Sequence, residues 1–156
     1  MIPEPKLSHL YQEMILDHNK NPRNFKDIAS PTHYSHGVNA LCGDDYHIYL
    51  VVDGAGVIQD VGFKGAGCAI SKASASILTT LVKGKTVAEA SALTGNFIGF
   101  MTGENAPKDA ETAKAVLGKM IIFEGVKEFP IRVKCATLSW HAFEDALHDV
   151  KEYDQE

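Results

Sequence analysis

The segment from Tyr46 to Phe63 constrains the fold of this chain more than any other. Tyr46, Ile48, Leu50 and Val52 alternate with His47, Tyr49 and Val51, the period-two pattern of a strand with one buried face. Asp53-Gly54-Ala55-Gly56 follows, and Val57 to Phe63 resumes the strand pattern. Two strands joined by so short a glycine-rich connection predict an antiparallel hairpin.

Helical patterns flank the hairpin. Leu10, Tyr11, Met14 and Ile15 share one face of a helix predicted from Ser8, its N-cap, to Asp17, with Asn21-Pro22 ending it. Lys26 to Pro31 reads as a polar loop and Thr32 to Asn39 as a further strand. After Gly65-Ala66-Gly67 a helix is predicted from Cys68 to Val82, with Ile70, Ala73, Ile77 and Leu81 as its buried stripe and Gly84 closing it. Thr86 and Glu89 have capping-box spacing and open a short helix. Residues 95–109 read as a loop with a short helical piece, and Ala110 to Phe123 as a helix interrupted at Gly118. The last helix is predicted from Arg132, behind Pro130, to Tyr153. Its stripe is Leu138, Ala142, Phe143, Ala146, Leu147 and Val150, with Cys135 in the same sector. Trp140 stands apart from that stripe, placed to pack on the preceding segment or to mark a contact surface.

The order of elements, without repeat, low-complexity tract or boundary, predicts one α+β domain over residues 1–156. A chain of 156 residues buries a core without staples. Its net charge of −5 and scattered basic residues exclude a general nucleic-acid binder, which needs clustered Lys and Arg. Met1 to Lys6 has no apolar core of signal-peptide length, and every apolar stretch falls short of the about 20 residues of a bilayer span. The expectation is a soluble, cytoplasmic chain without a membrane partner, whose partners are proteins or small ions.

Three cysteines, with no close pair, are expected to be free, metal-bound or reactive in a reducing compartment. Cys42 precedes a strand and is followed by Gly43, Asp44 and Asp45. Cys68 lies between Gly-Ala-Gly and a helix, and Cys135 in the first turn predicted for the last helix. Helix N-termini favour anions, which stabilises thiolates at Cys68 and Cys135. Gly43 and Gly67 leave the backbone beside the sulfurs able to pack closely. Free cysteine is often an ordinary core residue. That explains poorly why all three fall where the backbone changes character, and it leaves Asp44 without a role. Cys42-x-Asp44 with two further thiolates makes an S₃O set suited to tetrahedral zinc. On a strand Asp44 and Asp45 point to opposite faces, so only one shares the site with Cys42. His47, opposite in face to Ile48 and Leu50, is expected to be solvated, and His141 and His148 lie off the face of Cys135. Arg132 and Lys134 either raise the positive potential beside Cys135 or are ordinary helix-start charges.

Leu-Tyr-Gln-Glu-Met-Ile-Leu-Asp-His over 10–18, Asn21-Pro22-Arg23-Asn24, Cys42-Gly43-Asp44, Phe63-Lys-Gly-Ala-Gly-Cys68-Ala-Ile-Ser71 and Pro130-Ile-Arg-Val-Lys-Cys135 follow one another in order. Together they resemble the NifU/IscU family over nearly the whole chain. The resemblance implies a small three-stranded antiparallel sheet packed against several helices. Lys134 stands where the scaffold branch of that family has a histidine, and the chain is longer between Lys85 and Cys135. Both departures are similar to the SufU branch. The resemblance selects Asp44 over Asp45 and implies zinc held by Cys42, Asp44, Cys68 and Cys135. It implies a sulfurtransferase in which Cys42 accepts persulfide sulfur from a SufS-like, pyridoxal-phosphate cysteine desulfurase for iron–sulfur cluster assembly, with other Suf assembly proteins as further partners. Cys42 is also the one cysteine not at a predicted helix start, so it is the easiest to release. The alternative is a scaffold that holds a transient iron–sulfur cluster on the same ligands, and a third is a purely structural zinc protein.

Overall fold

A computed structural model describes residues 5–104, 115, 117–148 and 152–154. The hairpin forms as the alternation requires: β2 (Asp44–Val52) pairs antiparallel with β3 (Ile58–Ala66), with Ile48 opposite Phe63 and Leu50 opposite Val61. Asp53 makes the turn by accepting the backbone N–H of Ala55 and Val57 on its carboxylate at 2.9 and 3.0 Å. β1 (His33–Asn39) adds antiparallel to the other side of β2. This is the expected three-stranded sheet. A short parallel strand, β4 (Glu152–Asp154), extends it beyond β1, giving the order β3-β2-β1-β4.

Helices cover one face. α4 (Pro130–Leu147) lies on β1 and β2, and α2 (Ala69–Val82) on β3 and α4. α1 (Pro5–Lys20) packs on α2, and α3 (Val87–Thr102) on α4. Tyr46, Ile48, Leu50, Ile58, Val61 and Phe63 supply the buried side of the sheet. Each such side chain contributes about 1.5–3 kcal/mol on burial. α2 is buried on more than its apolar stripe, and its hydroxyls are satisfied internally: Ser74 donates to the Ala136 carbonyl at 2.6 Å, and Ser76 lies 2.7 Å from His18 Nδ1. The Asn21-Pro22-Arg23-Asn24 segment is a clamp, with Arg23 N–H donating to Ser76 Oγ and the Asn24 amide to Thr79 Oγ1.

Four expectations are corrected. α1 begins at Pro5, so Ser8 lies inside the helix rather than capping it. The capping box of Thr86 and Glu89 forms as expected, but α3 continues through Gly95 and Gly99 to Thr102. Two internal glycines cost about 1 kcal/mol each, and burying Phe97, Phe100 and Met101 outweighs that. In place of an α-helix ending at Phe123, the chain from Gly118, at φ +56°, to Glu128 is a 3-10 helix that buries Met120, Ile121, Ile122 and Phe123. Residues 110–114 and 116 of that expected helix lie outside the described residues. The last helix starts two residues earlier than expected and ends at Leu147, because residues 152–154 pair instead with the edge of β1. Val150 lies outside the described residues. Trp140 is fully buried: its ring meets Phe97 of α3 at 5.2 Å, and its Nε1–H donates to Ser74 Oγ. Of the two placings open to Trp140, it takes the packing one. Among the described residues no helix is long and apolar enough to cross a membrane.

Candidate metal centre

The β1–β2 connection, the β3–α2 junction and the start of α4 meet at one end of the sheet, and each carries a cysteine. Cys42 lies in the connection, where Gly43, at φ +71°, turns the chain into β2. The role of Gly43 is conformational, since space is open where its side chain would be. Asp44 then points inward and is fully buried, while Asp45 points out. Cys42 Sγ, an Asp44 carboxylate oxygen and Cys135 Sγ all lie within 4.8 Å of one another.

Cys68 is the N-cap of α2. Its sulfur accepts the Ser71 backbone N–H at 3.4 Å and is not part of the 4.8 Å group. Its backbone is nonetheless tied to the centre, because the Cys68 N–H donates to Asp44 Oδ1 at 3.0 Å. The Ser71 hydroxyl lies 3.0 Å from the same oxygen, and the Asn39 amide reaches Asp44 Oδ2 at 3.5 Å. Gly67 is what allows this approach. A Cβ there would lie 2.5 Å from both Asp44 Oδ1 and Ser71 Oγ, and 2.8 Å from the Tyr46 hydroxyl. The structure therefore brings together three of the four expected ligands and leaves the fourth sulfur turned toward its own helix.

Cys135 is the sixth residue of α4, in its second turn, and it is fully buried. The expected support from a helix N-terminus falls off within the first turn. Burial instead pushes the Cys135 thiol well above its usual range, and the neighbouring Cys42 and Asp44 push it the same way. A buried carboxylate beside thiols that give up their protons only against this crowding is a place where a cation would take over the role of those protons. Soft sulfur with one carboxylate oxygen suits zinc, and the site fits that ion by its donor chemistry.

Arg132 belongs to these surroundings. The guanidinium is held above its usual pKa, first by a hydrogen bond with Cys135 and then by the charges of Cys68, Cys135 and Cys42. Burial and the charges of Asp44, Cys68 and Cys135 push the Tyr46 phenol up against a weaker opposing hydrogen bond from Ser71, so it stays protonated. Asn39 and Tyr46 escape a reading of spacing, whereas Ser71, three residues after a cysteine at a helix start, stands at the N-cap partner position.

Of the three cysteines, Cys42 alone lines an open cleft of about 550 Å³, shared with Leu41, Phe129, Ile131 and Arg132. Leu41, Phe129 and Ile131 are 71%, 59% and 61% exposed, a concentration of apolar surface around one sulfur. A larger groove of about 890 Å³ between α1 and the 3-10 helix contains none of the cysteines. His47 lies on the outer face of β2, away from the centre, as the alternation predicts. His148 pairs with Glu144 at 2.9 Å, at the far end of α4.

Residues 10–136 match the family described as NifU-like N terminal domain. The chain is 38% identical over 141 residues to the zinc-dependent sulfurtransferase SufU of Bacillus subtilis, covering 90% of this chain and 91% of that protein. It is 36% identical over 142 residues to the iron-sulfur cluster assembly scaffold protein IscU of Streptococcus pyogenes, covering 91% and 85%. The crystal structure described as that of an iron-sulfur cluster assembly scaffold protein for the SUF system (FiSufU), from Fervidobacterium islandicum AW-1, superposes with a TM-score of 0.80 at 36% identity, covering 90% of this chain and 98% of that one. The helix-backed sheet, the ordered cysteine motifs and these likenesses agree: the chain is a SufU-type member of the NifU/IscU family of iron–sulfur cluster assembly proteins.

Proposed function

We propose that the protein is a cytoplasmic, zinc-dependent sulfurtransferase that takes persulfide sulfur from a pyridoxal-phosphate cysteine desulfurase for iron–sulfur cluster assembly. The observation that carries this reading is that Cys42 joins Asp44 and Cys135 in one donor cluster and alone lines the cleft. Cys42, Asp44, Cys68 and Cys135 would hold the zinc, with Cys68 rotating its side chain away from Ser71 N–H. Bound zinc would keep the thiols deprotonated at neutral pH.

The chain's own residues then have separable roles. Leu41, Phe129 and Ile131 offer the partner an apolar rim around the acceptor. The Cys42 thiolate attacks the outer sulfur of the desulfurase persulfide. The new bond forms at Cys42 as the old sulfur–sulfur bond breaks, and the desulfurase cysteine departs as a thiolate. Arg132 offers a fixed positive charge to the anionic persulfide left on Cys42. Ser71, Asn39 and the Cys68 N–H keep Asp44 aimed while Cys42 is engaged.

Incubation with a desulfurase and cysteine, followed by mass spectrometry of trapped peptides, tests this: the added sulfur is expected on the Cys42 peptide. Sulfur on Cys68 or Cys135, or no stimulation of desulfurase turnover, refutes it. The likeness to the Streptococcus pyogenes scaffold favours a second reading, a cluster held on the same donors. Metal analysis of freshly purified protein separates the two, zinc supporting the first and an iron–sulfur chromophore the second.

A further inference from the structure

The outer face of the sheet carries a second group of converging donors. His36 on β1 and His47 on β2 are directly opposite in the register. Their imidazoles stack with centroids 4.3 Å apart and planes within 6°. Asp45, two residues before His47, lies on the same face of β2. Its Oδ1 is 2.7 Å from His36 Nε2 and 3.8 Å from His47 Nε2. One ligand atom from each of the three lies within 4.8 Å of the other two.

Two features distinguish this group from an ordinary surface ion pair. Both rings turn the same nitrogen, Nε2, toward one carboxylate oxygen. The stacked planes hold the two Nε2 lone pairs side by side, so one ring must turn about its Cβ–Cγ bond, and His36 must give up its proton to Asp45 or solvent, for both to point at a single ion. The other nitrogen of His47, Nδ1, is engaged by the Tyr34 hydroxyl. A hydrogen bond on the remote nitrogen orients an imidazole and frees the near one to bind an ion. Tetrahedral ligands at bond lengths near 2.0–2.1 Å are about 3.3 Å apart. The side chains of His36, Asp45 and His47 are 27%, 53% and 36% exposed, so the rings and the carboxylate can turn to that spacing, which opens the 2.7 Å contact and closes the 3.8 Å one. Lys64, opposite His47 on β3, does not compete, since its ammonium lies over the Phe25 ring at 4.5 Å.

We propose that His36, Asp45 and His47 form a second, solvent-facing site for a divalent transition-metal ion, separate from the cysteine centre and on the opposite face of the sheet. Two imidazoles and one carboxylate select zinc, nickel, copper or ferrous iron over calcium and magnesium, which prefer all-oxygen shells. Water fills the remaining positions, so the ion exchanges freely and is held more weakly than one bound by thiolates. The inference stands independently of the proposed sulfur transfer.

The test is equilibrium dialysis of the full chain, already loaded at its cysteine centre, against free Zn²⁺, with His ring resonances followed by NMR. The wild-type chain is expected to take up one more ion than His36→Asn/His47→Asn. Each single histidine substitution should weaken that uptake by at least the about 10–100-fold typical of losing an outer-shell partner. Asp45→Asn, which keeps the shape but removes the charge, should weaken it less. In the wild type the ring signals of His36 and His47 should shift together as the ion is added, which keeps the test valid if the double variant folds poorly. Equal uptake by wild type and double variant, or shifts confined to other histidines, overturns the proposal.

Discussion

Gly67→Ala tests the geometry of the cysteine centre without touching a ligand. The backbone of Gly67 lies outside the left-handed region, so alanine adds no conformational strain there. What it adds is one methyl group, placed 2.5 Å from Asp44 Oδ1, 2.5 Å from Ser71 Oγ and 2.8 Å from the Tyr46 hydroxyl. All three belong to the buried polar group that aims Asp44, and none is the free end of a long side chain. To admit the methyl, Asp44 must move from the Cys68 N–H and the Ser71 hydroxyl, each now 3.0 Å from Oδ1. Hydrogen bonds to a charged group are worth about 1.5–3 kcal/mol each. Losing one and straining the other gives a destabilisation on the order of 3 kcal/mol. At roughly 2–4 °C per kcal/mol for a chain of this size, the melting temperature should fall on the order of 5–10 °C. Gly43→Ala is the matched control: it meets open space but must hold φ +71°, for a cost of about 1–2 kcal/mol. Calorimetry of both variants beside the wild type, with metal content measured on the same samples, decides the matter. If Gly67→Ala melts within a degree of the wild type, or Gly43→Ala is the more damaged, the packing around Asp44 is not as described.

Asp44→Ala should weaken sulfur transfer yet leave much of the zinc on three thiolates. Complete loss of zinc, with Cys68→Ala retaining it, would reverse the ranking of the ligands. Stripping zinc with a strong chelator should lower the melting temperature, because the crowded donors then repel one another; an unchanged melt after verified removal counts against structural coupling. Cys42→Ser should abolish persulfide acceptance while keeping the fold, checked by circular dichroism and by mass spectrometry after incubation with a desulfurase. His18, buried against Ser76 in the α1–α2 contact, has its pKa lowered chiefly by desolvation, with the positive charge of Arg23 adding to it. The unfolded chain therefore binds the proton first as pH falls. His18 stabilises fully above its unfolded pKa of about 6.5, and that contribution is lost as pH drops below it toward the lower folded value. His18→Gln should flatten the fall in melting temperature as pH drops below about 6.5, and an undiminished slope would show that other groups drive it.

The parts of the fold legible in the sequence are those where local and tertiary preferences agree. The hairpin of β2 and β3 reads directly because alternation, turn chemistry and burial give one answer, and the Thr86–Glu89 capping box is a purely local device. The end of α3 was hidden because Gly95 and Gly99 argue for a loop, whereas Phe97, Phe100 and Met101 find a core only the whole fold supplies. β4 was hidden because a strand of three residues has almost no period of its own and exists by pairing with β1. The cysteine centre divides along the same line. Alternation shows that only one of Asp44 and Asp45 can share a site with Cys42, and the family resemblance, not the spacing, selects Asp44. The meeting of Cys42 and Asp44 with Cys135 depends on how α4 crosses the sheet, which periodicity cannot give. The outer-face group depends on register: His36 and His47 sit on consecutive strands and become opposite only when the β1–β2 register is known. A strand places a side chain on a face, but only the register gives it a partner. That is why His47 reads as a solvated residue from one strand alone and as half of a paired donor set once the second strand is in place.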